Sequence, residues 1–366
     1  MSLNSRTGIS YPLDAVPEKG EWLEVTRGVY WLQMVLPMAL NHINLYVLED
    51  DAGWWIVDTG MQIGDTQERW ELLFAKQMAD KPVLGVICTH MHPDHVGQAG
   101  WLCDTLRVPL YMSFKEYYSA LAFTNLGSGE MSWTSQQYYR RAGVSEAYIE
   151  SQAKRNRGFG RICSPIPTAF RCLRDGQTLS IGGREWKIMT EGGHSPEHAS
   201  LYCAEDKLML SGDQIIPRIT SNVSVMASEP EANPLADWLD GLRRFQRDIH
   251  PDTLVMPAHN APFYGVQARL EYLIAHHEGH LAALEKACVE PRVCLDLLGV
   301  LFERKIDDSI LGLALGELVA HLHFLCIEGR MVRELDDKGL YRFRSIDPTS
   351  CPYHGIYELD SGPMEV

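Results

Sequence analysis

The chain has 366 residues, of which 45% are hydrophobic, and its formal net charge is −15 at pH 7. A single hydrophobic core rarely grows past about 250 to 300 residues, so this length predicts one large domain and a small one. The acidic balance argues against a nucleic-acid-binding surface over the whole molecule, because such binding depends on Lys and Arg that neutralise phosphates. No apolar run approaches the roughly 20 residues that cross a bilayer. We therefore expect no contact with membranes.

Cysteine usage favours a reducing compartment. The nine cysteines are odd in number, and Cys88, Cys203 and Cys326 lie inside apolar runs. Buried thiols are expected here rather than a disulfide framework. The amino-terminal residues also do not have the pattern of a secretory signal peptide. The sequence therefore predicts a cytoplasmic protein.

The first part of the chain alternates predicted strands and helices. Apolar or alternating runs predict strands at Gly28 to Val35, Ile43 to Leu48 and Trp54 to Val57, and Asp65 to Met78 has helical spacing. A further apolar run, Val83 to Cys88, follows this helix. Strand, helix and strand in this order predict an α/β layered fold.

The densest polar motif comes directly after that apolar run. His90, His92, Asp94 and His95 lie within six positions. Where a strand turns into a helix, His90 and His92 can point to one side while Asp94 and His95 face a neighbouring point, which offers two metal positions. Imidazole nitrogen and carboxylate oxygen suit Zn²⁺ and also Fe or Mn, so the ligand types predict a transition metal without choosing among them. A polar loop that binds no metal is the alternative.

The pattern His-x-His-x-Asp-His-x-Gly after an apolar strand resembles the metallo-β-lactamase superfamily. Members of that family complete the site with a Gly-His, a bridging Asp and a last His, and this chain has His194, Asp213 and His259 in that order. The family more often has Gly where Ala258 and Asn260 stand here. The resemblance implies a four-layer αββα sandwich, which we assign to residues 20–265.

The resemblance also implies a dinuclear site. Two divalent transition metal ions are expected, with zinc preferred and iron or manganese as alternatives, and no other cofactor. A metal lowers the pKa of bound water to about 7, so a metal-bound hydroxide would attack the scissile carbonyl. Asp213 would bridge the ions, and Asp94 could also orient the hydroxide or carry a proton. The implied ligands are His90, His92 and His194 for one ion and Asp94, His95 and His259 for the other, with Asp213 shared.

Several residues near these motifs are candidates for supporting roles. Asp58 is typical of a turn, and it also fits an acceptor that holds a ligating histidine through the other ring nitrogen. Met38 and His42 lie in a loop that overhangs the metal in the resembling enzymes, so they are substrate-contact candidates. His198 follows His194 by four positions and is predicted to support the site or contact substrate rather than to bind metal.

The segment 114–165 is rich in aromatic residues and predicts a helical insertion between the two halves of the sandwich. Its aromatic side chains either pack on the domain or form a lid in which Tyr117, Phe123 or Trp133 holds an acyl or aryl group.

A basic cluster begins in the same segment. Between positions 140 and 174 there are eight basic and two acidic residues, a local charge of +6. Such a cluster concentrates anionic ligands, so Arg155, Arg157 and Arg161 could bind the phosphates of an acyl-thioester such as acyl-coenzyme A. Pairing of these arginines with acidic residues of the chain or of a second subunit is the alternative.

A long helix pattern, Ala268 to Cys288, follows the predicted sandwich. Its histidines His276 and His280 are spaced so that they could hold a metal, but no partner motif accompanies them. We therefore expect His276, His277 and His280 to face solvent.

Residues 266–345 predict helix, helix and hairpin, and resemble a winged-helix-like C-terminal module of a superfamily branch that includes endoribonucleases. Residues 346–366 have no periodicity and remain unassigned. From His276 to Val366 there are sixteen acidic and nine basic residues. This acidity argues against nucleic acid as a partner and favours a packing module or a homodimer contact.

Three functions remain in consideration. The preferred one is a metal-dependent hydrolase of a small-molecule thioester, ester or lactone, because a bridging Asp at 213 resembles hydroxyacylglutathione hydrolases and lactonases rather than true β-lactamases. An endoribonuclease or other phosphodiesterase of the same fold is the alternative, which the C-terminal module supports and its acidity opposes. A non-catalytic binding module is the third, and the complete set of ligand positions argues against it.

Overall fold

The computed structural model describes residues 3–4, 8–37, 40–125, 131–155 and 158–349, and of Leu3, Asn4 and Arg155 only the backbone. Met38, Arg157 and the tail from position 350 onward lie outside the described residues. Two short paired strands come first, β1 (Leu3–Asn4) and β2 (Ile9–Ser10).

One half of the sandwich is a seven-stranded sheet whose spatial order follows the chain. Its strands are β3 (Leu23–Thr26), β4 (Val29–Val35), β5 (His42–Asp50), β6 (Gly53–Val57), β7 (Val83–Ile87), β8 (Leu110–Ser113) and β9 (Phe170–Leu173). Neighbours from β3 to β6 are antiparallel, and neighbours from β6 to β9 are parallel. The strands predicted at 28–35, 43–48 and 54–57 are all present.

The other half is a five-stranded sheet, again in chain order. Its strands are β10 (Thr178–Ile181), β11 (Arg184–Glu191), β12 (His198–Cys203), β13 (Leu208–Gly212) and β14 (Leu254–Pro257). Only β13 and β14 are parallel. The two sheets share one hydrophobic core, in which Trp31 of the first sheet and Trp186, Leu201 and Met256 of the second are almost fully buried.

Helices cover the outer face of both sheets. The helices up to the end of the sandwich are α1 (Thr66–Ala75), α2 (Pro93–Val96), α3 (Ala99–Leu106), α4 (Phe114–Asn125), α5 (Trp133–Ala142), α6 (Glu146–Arg155), α7 (Pro234–Asp248) and α8 (Val266–Ala287). Trp70 of α1, Leu102 of α3 and Tyr117 of α4 pack on the first sheet, whereas Trp238 of α7 and Leu273 of α8 pack on the second. The molecule is therefore the expected αββα sandwich.

The C-terminal segment is built on the same core. It contains β15 (Arg292–Val293), a 3₁₀ helix (Cys294–Leu297), α9 (Leu298–Leu301), α10 (Leu311–Ile327), β16 (Met331–Leu335) and β17 (Tyr341–Ser345). The strands form an antiparallel sheet in the order β15, β17, β16. Leu315, Leu318 and Leu325 of α10 are fully buried against the helices of the second sheet. The predicted hairpin is present, and the winged-helix assignment itself stays a prediction.

The expectation for the histidines of α8 was wrong. His277 is 0% and His280 is 4% exposed, and His276 is half-buried. The reason is that α10 packs across this face of α8, which the local pattern of α8 does not reveal.

The expectations for the thiols and for membrane spans can be compared with the structure, whereas the cytoplasmic location stays a prediction. All cysteines in the described ranges are free thiols, and most are buried. Among the same residues, the structure contains no helix with both the length and the apolar character needed to cross a membrane.

Candidate metal centre

The predicted ligands come together at one edge of the sandwich, where several strands end. His90 and His92 follow β7, His194 lies between β11 and β12, Asp213 follows β13 and His259 follows β14. Loops that follow strands of the same direction lie at the same edge of a sheet, so motifs far apart in the sequence meet there.

The carboxylate of Asp213 faces two separate groups of imidazoles. Its Oδ2 lies 3.3 Å from Nε2 of His194 and 3.9 Å from Nε2 of His90. Its Oδ1 lies 3.4 Å from Nε2 of His95 and 3.5 Å from Nε2 of His259. One oxygen for each group is the arrangement that a bridge between two cations requires.

The donor atoms form two clusters that could hold two metal ions. Within each cluster, the donor atoms lie within 4.8 Å of one another. Nε2 of His95, Nε2 of His194 and Oδ1 of Asp213 are buried and have no hydrogen-bond partner in the described part of the chain, and buried polar atoms are seldom left so. The donor set therefore fits two cations, while the metal's identity stays a prediction. The clusters are His90, His92, His194 and Asp213, and Asp94, His95 and His259.

Burial and neighbouring charges set the protonation of these groups. Burial lowers the pKa of His92 to about 3 and that of His90 well below its ordinary value, so both imidazoles have free nitrogen lone pairs at neutral pH. Burial alone would raise the pKa of the Asp213 carboxyl, but the neighbouring His259 and His95 outweigh it and hold this pKa well below the ordinary value. Asp213 is therefore ionised, as a bridging ligand must be.

Asp58 makes the contacts expected of a residue that orients a ligand. Its carboxylate accepts hydrogen bonds from Nδ1 of His95 at 2.8 Å and from the backbone N–H of Thr89 at 2.8 Å. Its φ of 62° lies in the left-handed region, which Asp tolerates better than most residues do. The hydrogen bond leaves Nε2 of His95 as the atom directed at the metal position.

His198 supports the site from behind and does not contact the cavity. It is fully buried, and its Nε2 accepts a hydrogen bond from the backbone N–H of Asp213 at 3.2 Å. A Cβ at Gly212 would lie 2.3 Å from this nitrogen, so the approach requires glycine. Of its two predicted roles, support of the site is the one that these contacts fit, and contact with substrate stays a prediction.

The backbone of His42 contacts a metal-binding residue, and its predicted contact with substrate stays a prediction. Its backbone carbonyl accepts a hydrogen bond from Nδ1 of His259 at 3.1 Å, whereas its ring lines a different cavity together with Gln33 and Arg69. The backbone of His42 is directed at the metal centre because it begins β5 beside the end of β14. From the same loop, Leu40 reaches the cavity at the metal centre.

A cavity of about 490 Å³ opens over the two clusters. Its wall is mainly hydrophobic and comes from segments distant in sequence. Tyr138 and Tyr139 of α5, Ile219 and Val225 of the loop after β13, and Leu313 of α10 contribute to it.

The aromatic residues predicted to hold an acyl group lie elsewhere. Tyr117 stacks on Phe170, with 3.8 Å between ring centroids, and Phe123 stacks on Phe159 at 5.3 Å. Trp133 is 69% exposed and is not part of the cavity wall. Hydrophobic spacing could not distinguish these residues from Tyr138 and Tyr139, because both sets lie on helices with aromatic faces.

The basic cluster is only partly described. Arg161 is exposed and does not line the cavity. Within the cluster, Arg140 pairs with Glu146, and Arg141 donates a hydrogen bond to the Tyr341 hydroxyl at 2.8 Å. Arg140 therefore pairs with an acidic residue of the chain, whereas the partner of Arg141 is a neutral hydroxyl, and the roles of Arg155, Arg157 and Arg161 stay predictions.

Two further residues shape the centre and were not predicted from the sequence. The fully buried Glu116 of α4 accepts hydrogen bonds from the backbone N–H groups of Met91 at 2.9 Å and Glu197 at 2.6 Å, and so ties the loop of His90 and His92 to the loop of His194. The backbone carbonyl of Asn222 accepts from Nδ1 of His194 at 2.9 Å. A carboxylate within an aromatic helix was a visible signal for Glu116, whereas no local signal marks Asn222.

Comparison with known families agrees with this geometry. A family model described as Metallo-beta-lactamase superfamily matches residues 39–259, and a second, Metallo-beta-lactamase-like, C-terminal domain, matches residues 281–346. The chain belongs to the metallo-β-lactamase superfamily. It is a metallohydrolase with a C-terminal domain found in that superfamily.

Two similar proteins match this chain over most of its length. A solved beta-lactamase domain protein from Burkholderia ambifaria is 38% identical, with a TM-score of 0.84, and the match covers 92% of this chain and 98% of that one. The probable metallo-hydrolase YqjP of Bacillus subtilis is 24% identical and covers 82% of this chain and 92% of its own.

Two further relatives carry names of specific activities. Linear primary-alkylsulfatase of a Pseudomonas species is 24% identical over 60% of this chain and 42% of its own length. Acyl-coenzyme A thioesterase MBLAC2 of Homo sapiens is 26% identical over 51% of this chain and 63% of its own length. Both matches are partial.

Proposed function

We propose that this metallohydrolase cleaves a thioester or ester of an apolar acyl chain at a dinuclear metal centre. The observation that carries the proposal is Asp213, whose two carboxylate oxygens face separate groups of metal-binding side chains at the base of a hydrophobic cavity. A metal-binding floor under an apolar wall fits a substrate with a polar reacting group and a hydrophobic tail.

Three aspartates would have different roles in the reaction. Metal ions in these positions would supply Lewis acidity, which lowers the pKa of a bound water to about 7 and polarises a carbonyl. Asp213 would hold both ions, and Asp58 would keep the ring of His95 in place. Oδ2 of Asp94 lies 3.5 Å from Nε2 of His259 in the same cluster, and this carboxylate would orient the bound water or take up its proton.

The wall of the cavity favours an uncharged tail. In the described part of the chain, no Lys or Arg side chain contributes to it. Each buried methylene contributes about 0.8 kcal/mol, so apolar side chains such as Ile219, Val225 and Leu313 would favour longer acyl groups. An anionic carrier such as coenzyme A would then lie outside the cavity, and the named activity of the human relative supports this choice of substrate.

Alkyl sulfates are a second candidate class. The same cavity would accept a linear alkyl chain, and one relative is named a linear primary-alkylsulfatase. In that case the sulfate group would lie over the two clusters in place of the thioester.

The test is a rate comparison on the zinc-loaded chain. Acyl-coenzyme A and uncharged acyl-thioesters of increasing chain length, a lactone, an alkyl sulfate, a β-lactam and RNA would be assayed side by side. For thioesters we expect kcat/KM to rise about fourfold with each added methylene until the cavity is full. Asp213→Ala should lower the bound metal and reduce this activity by at least about a hundredfold, as expected when a metal bridge is lost.

Three outcomes would contradict the proposal. Hydrolysis of the alkyl sulfate alone would favour the second candidate, and cleavage of RNA alone would favour the endoribonuclease alternative. Full metal occupancy in Asp213→Ala would show that Asp213 is not the bridge. Asp50→Ala is the matched control, because this aspartate ends β5 at a turn and should change neither metal content nor rate.

A further inference from the structure

A second cluster of metal-binding side chains lies between α8 and α10, outside the centre described above. His276 and His280 are one turn apart on α8, and Glu317 lies on α10. One donor atom of each side chain lies within 4.8 Å of the donor atoms of the other two. His280 and Glu317 are each only 4% exposed. Three side chains of ligand type therefore meet inside the protein.

Each of these side chains has a buried polar atom that has no hydrogen-bond partner among the described residues. The atoms are Nε2 of His276, Nδ1 of His280 and Oε1 of Glu317. Native proteins seldom leave such atoms unpaired, and three in one place call for a common explanation. One cation would satisfy all three, whereas hydrogen bonds among them would satisfy them only in pairs.

The neighbouring histidines do not fill this role. His321 donates from Nδ1 to the carbonyl of Glu317 at 2.8 Å, so its Nε2 can accept from Nδ1 of His277 at 3.1 Å. Burial lowers the pKa of His276 to about 4 and that of His280 to about 2, so both rings are neutral at neutral pH, and burial raises the pKa of Glu317 to about 7, so its carboxyl is partly protonated until a cation binds. Neutral imidazole is the form that binds metal.

We propose that His276, His280 and Glu317 bind a divalent transition metal ion that connects α8 to α10. Two imidazoles and one carboxylate are ligand types that Zn²⁺ accepts, with water in the fourth position. The ion lies between the second sheet's helix layer and the C-terminal segment, so it stabilises their contact. Its ligands are distinct from those of the candidate metal centre, and the proposal does not depend on the identity of the substrate.

A chain of hydrogen bonds connects this site to the candidate metal centre. Nδ2 of Asn222 donates to Oε2 of Glu317 at 3.1 Å, and the carbonyl of Asn222 accepts from Nδ1 of His194 at 2.9 Å. An ion that fixes the Glu317 carboxylate therefore also fixes Asn222, and through it the ring of His194. The second site thus positions a ligand of the first.

The experiment counts zinc in the full chain. Each protein is stripped with a chelator, reloaded with zinc, freed of excess metal and analysed for zinc per folded chain. Glu317→Gln and His280→Gln should each lose about one zinc equivalent, because each removes one of three ligands. His250→Gln, an exposed histidine outside both sites, is the control and should lose none. Circular dichroism verifies that each variant is folded.

A second comparison separates this site from the dinuclear centre. In an Asp213→Ala background, Glu317→Gln should again remove about one equivalent, whatever the substrate of the enzyme proves to be. Melting temperature should rise on adding zinc to Asp213→Ala, and rise less for the double variant. Equal zinc content with and without Glu317→Gln in either background overturns the proposal. The isosteric Gln keeps the test available if His280→Gln fails to fold.

Discussion

At the scale of single residues, the metal centre shows which roles a motif can specify. The ligand types and their spacing were visible in the sequence, and the two clusters contain the seven predicted ligands. Their division between the two oxygens of Asp213 depends on distances that no spacing gives. The orientation of His198 and of His42 could not be predicted for the same reason. A ring that faces the cavity and one that faces away have the same sequence pattern.

Asp58 offers a test of how strongly a hydrogen bond to a ligand affects metal binding. Asp58→Asn keeps the size of the side chain and tolerates the positive φ, but its amide can no longer accept equally from His95 and Thr89. We expect metal affinity to fall about 10- to 100-fold, as is typical for such partners. Competition with a chromophoric chelator measures the change.

The control for this substitution is Asp50→Asn, at a turn of the same sheet, where the carboxylate accepts from the backbone of Gly182. It should leave metal affinity unchanged. Equal affinities for Asp58→Asn and the unsubstituted chain would show that the Asp58 contact only shapes the turn.

At the scale of elements, hydrophobic periodicity predicted the strands and helices of the sandwich well. It did not predict which faces of the helices meet. Tyr117 and Phe123 of α4 pack in the layer over the first sheet, whereas Tyr138 and Tyr139 of α5 reach the cavity. Likewise, α8 was expected to expose its histidines because nothing in its own pattern shows that α10 covers them. Contacts between elements far apart in sequence are the missing information in both cases.

The cavity wall gives the C-terminal segment a predicted role in substrate binding. Leu313 of α10 lines the cavity and is 50% exposed, so Leu313→Ala should have little effect on folding. Loss of part of its hydrophobic contact should cost about 1 kcal/mol, or about fivefold in kcat/KM, for long-chain thioesters only. Leu335→Ala is a matched control, because this leucine of β16 is 55% exposed and lies outside the cavity wall. An equal loss for acetyl and long-chain substrates would contradict this role.

The basic cluster leads to a separate prediction about binding of the coenzyme A part of an acyl-thioester. Arg155, Arg157 and Arg161 would be replaced by Ala together, and hydrolysis of an acyl-coenzyme A compared with that of an uncharged thioester. A guanidinium that binds phosphate contributes about 1.5–3 kcal/mol, so loss of kcat/KM for the coenzyme A ester alone is expected, and it should weaken at high salt. Arg140→Ala serves as control, since this arginine pairs with Glu146. An equal effect on both substrates, or none, would leave these arginines without a substrate role.

At the scale of the whole molecule, the sandwich and the C-terminal segment are less separate than the two predicted domains suggest. The helices α7, α8 and α10 share one core, and Glu317 of α10 hydrogen-bonds to Asn222 beside the metal centre. Length and composition predicted a second domain, but they do not show how closely that domain packs on the sandwich. Homodimerisation through the C-terminal segment stays a prediction. Light scattering of the purified chain would test it by measuring the oligomeric state.

This shared core predicts that the metal-loaded chain unfolds in a single cooperative transition. Domains with separate cores unfold separately, whereas here Leu318 of α10 is 0% exposed within the core that also contains Trp238 of α7 and Leu281 of α8. Leu318→Ala should lower the free energy of unfolding by about 2–5 kcal/mol and move the whole transition. Calorimetry and the near-ultraviolet dichroism of the sandwich tryptophans should report the same midpoint, while Leu335→Ala should leave it unchanged. If Leu318→Ala produced an early transition that left the tryptophan signal and the bound metal intact, the C-terminal segment would be an independent unit.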